Sequence, residues 1–261
     1  VLAHGVRTDD RFFKKGLKLT RSDIAALHTA GKEKLLVAIL DSGDVGEDEA
    51  AMAIANLLRI EGVSISGAGT GRVNFHAQAN GLFQVNKSLV DAVNAIDPGI
   101  TFATLNNLVP VLEGRMVATV KIIPYGISAK SIEALKPALT GATSMFVSTY
   151  RSCSIGVIST LLPSLKEKTI AKTIRILEDR FRPSGSKIIA HTMVAHKQEA
   201  VREAIASLAP KCDLLIVFGA SAISDEADII PAALIAANGQ IERLGMPVDP
   251  GNLLMLGDVD G

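Results

Sequence analysis

This chain carries no excess charge of either sign. Its 27 basic and 27 acidic residues cancel and are spread along 261 positions, so there is no electrostatic footprint for nucleic acid. It also lacks an apolar run approaching the roughly 18 residues that a membrane helix needs. No signal peptide or transit segment is visible at the N-terminus. Cysteine is scarce: Cys153 and Cys212 lie far apart and form no metal-ligand spacing. These absences set the expectation of a soluble, cytoplasmic protein with no nucleic-acid or membrane partner. The chain opens at Val1 without a methionine and stops on the turn-like run Gly257-Asp-Val-Asp-Gly261, which leaves room for the native protein to continue. What is abundant is apolar residues, 48% of the chain, enough for one large domain or two ordinary ones.

The most informative stretch runs from Asp213 to Pro231. Leu214 to Phe218 is a continuous apolar run of strand length, as expected for a strand buried on both faces. It breaks into Gly219-Ala-Ser-Ala222 and then meets three acids, Asp225, Glu226 and Asp228. A helix-length apolar segment follows, Ile229 to Ala237, with Pro231 in its first turn, where a missing N–H costs little. A strand that passes through small residues into a helix start brings backbone N–H groups close to a ligand, and it suits a phosphate or other oxyanion. Such corners occur throughout doubly wound α/β proteins and most bind nothing, so the pattern alone leaves both readings open.

Elsewhere the periodicity predicts a β-rich lead-in and a short helix begun by Thr20 and Asp23, an approximate capping box. Ile24 and Leu27 form its stripe and Gly31 stops it. Leu35 to Leu40 reads as a buried strand. The acids after Asp41 crowd a helix start, as the macrodipole favours. The run Gly67-Ala-Gly-Thr-Gly71 is no dinucleotide fingerprint, because no amphipathic helix opens after it. Arg72, Asn74 and His76 alternate onto one face of an extended segment, either gripping an anion or decorating a surface strand. Val85 to Ile96 reads as a helix, with strands over Ile100 to Leu105 and Met116 to Ile123. From Ile155 onward, strands at Gly156 to Thr160, Lys187 to His191 and Asp213 to Phe218 alternate with helices at Lys168 to Phe181 and Gln198 to Leu208. Such alternation forms a parallel sheet with right-handed crossovers, and the loops after its strands share one edge.

Three pieces together resemble the molybdopterin-binding domain of molybdenum-cofactor biosynthesis proteins, the molybdenum insertase and gephyrin type. They are the strand Val157-Ile-Ser-Thr160, the corner Gly219-Ala-Ser-Ala222 with Asp228-Ile-Ile-Pro231, and the turn Gly245-Met-Pro-Val-Asp-Pro250-Gly251-Asn252. The likeness covers about Ser144 to Gly261. More weakly, Lys15 to Leu27 is similar to the linker before the insertase's central domain. The whole chain resembles the N-terminal part of a bacterial subgroup in which such a module precedes a nucleotidyltransferase domain. The implied fold is α/β: a C-terminal three-layer molybdopterin-binding domain with a mainly parallel sheet (residues 144–261), after a mixed α+β domain (35–143) and an N-terminal linker with the β-rich lead-in (1–34).

The resemblance implies a module that binds molybdopterin or the molybdenum cofactor. The phosphate would sit on the N–H groups of Gly219 to Ser221, helped by the Ser221 hydroxyl. Asp228 or Asp249 would read the pterin, and Thr160, Ala220, Ser224, Pro250 and Gly251 would complete the site. His196 and Asp225 are the candidate ligands for molybdate or Mg2+. The implied partners are a nucleotidyltransferase domain beyond Gly261 and further copies of the chain. Two alternatives stay open: an insertase that transfers molybdate to the dithiolene, or a non-catalytic interaction scaffold. The chain departs from the family pattern at Ala220 and Ala222, which replace small or glycine positions, at His196 near the expected acid, and at Asn252 in place of a basic residue.

Overall fold

The computed structural model describes residues 1–163 and 167–259. The chain forms two compact units, Val1–Thr149 and Tyr150–Gly261, and mixes helices with several sheets, one of them parallel. Among the described residues no helix is long and apolar enough to cross a membrane.

In the first unit the lead-in is a hairpin of Val6–Arg7 and Phe12–Phe13. The helix Arg21–Thr29 follows, and its capping box is complete. Thr20 Oγ1 accepts from the Asp23 N–H at 3.2 Å, and the Asp23 carboxylate accepts from the Thr20 N–H at 3.0 Å. Aspartate thus serves where glutamate is the commoner partner. Of the expected stripe only Leu27 is buried; Ile24 is exposed. The expected strand at Leu35 to Leu40 does not form. Val37 makes one isolated bridge to Leu2, and Ile39 is 87% exposed. An apolar run becomes a strand only where a neighbouring strand pairs its backbone, and here only Leu36 and Ala38, on either side of the Val37 bridge, are bonded to Ala3 and Val1.

The rest of this unit holds the antiparallel pair of Asp44–Gly46 with Gly126–Ser128 and two four-stranded sheets. One runs in the order Val63–Ile65, Arg72–Ala77, Met116–Ile122, Ile100–Thr104; the other in the order Ile60–Glu61, Met145–Thr149, Gly81–Val85, Val109–Val111. Helices Glu47–Leu57, Lys87–Ile96 and Ala129–Leu139 supply further apolar side chains to a core around Ile54, Phe75, Phe83 and Phe102. Along Arg72–Ala77, Val73, Phe75 and Ala77 are buried, which leaves Arg72, Asn74 and His76 on the outer face. Met145–Thr149 pairs with Gly81–Val85 in register, so this strand belongs to the first unit although it lies beyond Ser144.

The second unit holds a three-stranded parallel sheet in the order Lys187–Ala195, Ser154–Leu161, Leu214–Phe218. Its middle strand is buried almost throughout, Ser159 and Thr160 included. The uniformly apolar Leu214–Phe218 instead lies at the sheet edge and is only partly buried, not covered on both faces as expected. Alternation sends Ile155 and Val157 into a cluster with Leu177 of the helix Glu167–Phe181. Ile158 joins another cluster with Val201 and Ile205 of Gln198–Leu208 and Leu234 of Ile229–Ala236. An antiparallel hairpin, Gly239–Leu244 with Met255–Val259, closes the described chain. The parallel arrangement brings the segments after Leu161, Ala195 and Phe218 to one edge.

Candidate functional site

At that carboxyl edge one buried hydroxyl organises the corner. Thr160, 1% exposed near the end of the middle strand, donates from Oγ1 to the Phe218 carbonyl at 3.2 Å. The same oxygen accepts the Ala220 N–H at 2.7 Å and lies 2.9 Å from His196 Nδ1. His196 follows directly after Lys187–Ala195, and its own N–H donates to the Leu161 carbonyl at 2.9 Å. Its Nε2 is 2.8 Å from Ser221 Oγ. Thr160, His196, Ala220 and Ser221 therefore come together from the ends of three strands.

The backbone of the corner is unstrained at its alanines. Neither Ala220 nor Ala222 has positive φ, so their methyl groups carry no left-handed penalty. Gly219 is needed for space: a Cβ there would come within 2.7 Å of Ile230 Cδ1 and 2.9 Å of the Ser221 carbonyl oxygen. The Ala220 N–H is committed to Thr160. Among the described residues, the N–H groups of Ser221, Ala222 and Ile223 have no acceptor within hydrogen-bonding reach. These three donors form a run that is displaced by two residues from the Gly219-to-Ser221 run read from the sequence.

A cavity of about 580 Å³ adjoins this run. One wall is the segment Asp213 to Gly219 with Ser221 to Ile223, and the other is Leu253 to Val259. Of the expected cofactor-binding residues, Gly219 and Ser221 line it. Asp249, Pro250 and Gly251 lie in the connection of the closing hairpin and are not part of the lining, although Leu253 and Leu254 are.

Ser224, Asp225 and Asp228 form a separate knot. The Asp228 carboxylate accepts from the Ser224 N–H and from the Asp225 N–H, the latter at 3.1 Å. Asp225 Oδ1 accepts from the Ala227 N–H at 2.7 Å. The Asp228 carboxyl is held below the usual carboxylate range, first by the Ser224 and Asp225 N–H groups and then by the nearby His196. Asp228 precedes the helix Ile229–Ala236 without capping it through its side chain; it closes the loop instead.

His196 and Asp225 are not assembled as a metal pair, since both imidazole nitrogens already face hydroxyls. Among the described residues there is no group of three or more His, Cys, Asp or Glu arranged to hold a metal ion. The sequence did not point to a second serine–histidine contact on the opposite face of the middle strand. Ser159 Oγ lies 3.0 Å from His191 Nε2.

No family model matches the chain, and no curated protein matches it. Among solved structures, the crystal structure of a molybdopterin biosynthesis MoeA protein from Pyrococcus horikosii is similar at 13% identity. The match covers 83% of this chain and 72% of that one, with a TM-score of 0.31.

Proposed function

We propose that the second unit is a molybdopterin-recognition module of molybdenum-cofactor biosynthesis, which binds the cofactor and presents it. The observation that carries this reading is the run of three acceptor-free N–H groups, Ser221 to Ile223, beside a cavity of about 580 Å³. A terminal phosphate needs several backbone donors, and a fused ring needs a cleft. Small-molecule sites typically span about 300–1,000 Å³. Ligands also favour the carboxyl edge of a parallel sheet, and the residues that carry the family resemblance, Thr160 and Gly219 to Ala222, meet there. Apolar clusters on both faces of the sheet support the three-layer arrangement of that family. A metal-inserting enzyme would need carboxylates free for the metal, whereas Asp225 and Asp228 are tied into their own loop. Recognition is therefore the preferred reading, with a nucleotidyltransferase domain as partner and the cytoplasm as setting.

To test it, the purified chain is incubated with molybdopterin, refiltered and oxidised, and pterin fluorescence is read. Stoichiometric retention is expected. Asp228→Ala, which removes the acceptor closing the loop, should weaken it about tenfold, the scale of a charge-assisted hydrogen bond. A folded wild-type protein that retains no pterin would rule the reading out.

A further inference from the structure

We infer that Ser221 meets its ligand as a hydrogen-bond acceptor, so that the group it reads is an N–H of a heterocycle and not an oxyanion. This rests on the pterin reading for the identity of the ligand but not for the polarity of the serine.

The polarity follows from counting protons along the chain of contacts. A threonine hydroxyl has one proton and two lone pairs. The Phe218 carbonyl, 3.2 Å from Thr160 Oγ1, can only accept, so it takes that proton. The Ala220 N–H, at 2.7 Å, can only donate, so it fills one lone pair. The remaining lone pair faces His196 Nδ1 at 2.9 Å, and that nitrogen must carry a hydrogen. A neutral imidazole protonated at Nδ1 has a bare Nε2. With the imidazole neutral, Ser221 Oγ, 2.8 Å away, donates its only proton to His196, and only lone pairs remain on that oxygen for the cavity that Ser221 lines.

An oxyanion placed on Ser221 Oγ would set lone pair against lone pair. The donors for a phosphate are instead the N–H groups of Ser221, Ala222 and Ile223. The corner is thus divided by polarity, with a backbone side that takes negative oxygen and one side-chain oxygen that takes a donor. A pterin carries such donors in its ring N–H and exocyclic amino group.

Two measurements decide the matter. In the ligand-free full chain with 15N-labelled histidine, on the alkaline plateau of the imidazole titration, the ring signals of His196 are assigned by their loss in His196→Gln. They should show the Nδ1–H tautomer, and an Nε2–H tautomer overturns the inference. In the second measurement, 6-hydroxymethylpterin and inorganic phosphate are each titrated into wild type and Ser221→Ala. Loss of the acceptor should weaken pterin about tenfold and leave phosphate unchanged. Weaker phosphate with unchanged pterin overturns the assignment. A wild type that binds neither probe removes the ligand half of the inference together with the pterin reading, while the tautomer still decides the polarity of Ser221.

Discussion

Two helix starts, one in each unit, treat their acids in opposite ways. In the second unit, Thr160 and Asp228 are partnered several times over: three contacts on one hydroxyl oxygen and two backbone N–H groups on one carboxylate. In the first, Glu47 opens the helix Glu47–Leu57 at 8% exposure, and its carboxylate has no hydrogen-bond partner among the described residues. Gly71, at φ +69°, lets the chain pass so close that a Cβ there would lie 3.0 Å from Glu47 Oε2. The carboxyls answer accordingly. Burial pushes the Glu47 carboxyl up, against the pull of Lys15 and Lys121, while N–H groups hold that of Asp228 down. The difference teaches that a helix start does not by itself set the state of an acid. Burial and hydrogen-bond partners do.

The sharpest way to break this contrast is Thr160→Val, which keeps the shape and removes the hydroxyl. The Ala220 N–H and the Phe218 carbonyl lose their partner, so unfolding free energy should fall by about 1–3 kcal/mol. Thr160→Ser should restore most of that in denaturant titrations. A valine variant as stable as wild type would mean that the hydroxyl holds nothing together.

A smaller effect is expected at Glu47. Because its folded-state pKa lies above the unfolded value, the stability it contributes is full below about pH 4.5 and is lost as pH rises through the folded value. Glu47→Gln should therefore be the more stable protein at neutral pH, by less than about 1 kcal/mol since Lys15 and Lys121 already offset part of the burial cost. The advantage should vanish in acid. Melting temperatures followed across pH would show it, and a glutamine variant less stable at pH 7 would contradict the account.

The smallest change is expected for Asp228→Asn, at an exposed loop. Here the folded pKa is depressed, so the contribution is present above the unfolded value of 3.8 and is lost as pH falls through the folded one. The asparagine variant should melt slightly lower than wild type at neutral pH, and the two curves should converge in acid. Parallel curves at all pH values would remove the carboxylate from the explanation.

The second unit was largely legible in its sequence because its signals are local. Ile170, Ile174, Leu177 and Phe181 recur at helical spacing, and Leu214 to Phe218 is uniformly apolar. Leu35 to Leu40 carries the same kind of signal and misleads, because a strand also needs a neighbour and only Val37 bridges. The corner was visible as Gly219 to Asp228, but its wiring was not. Thr160 reaches His196 across 36 positions and Ala220 across 60. Proton polarity appears only when those partners are seen together, which is why Ser221 reads as a phosphate donor in the sequence and as an acceptor in the folded site.

One consequence of the Thr160 hydroxyl concerns timing. The segments that follow three different strands share this one atom, directly or through Leu161 and His196. Displacing the loop after Phe218 removes the Ser221 contact from the imidazole and the Ala220 N–H and Phe218 carbonyl from the hydroxyl at once. The corner therefore works as a single latch, released by one local opening and not by three independent ones.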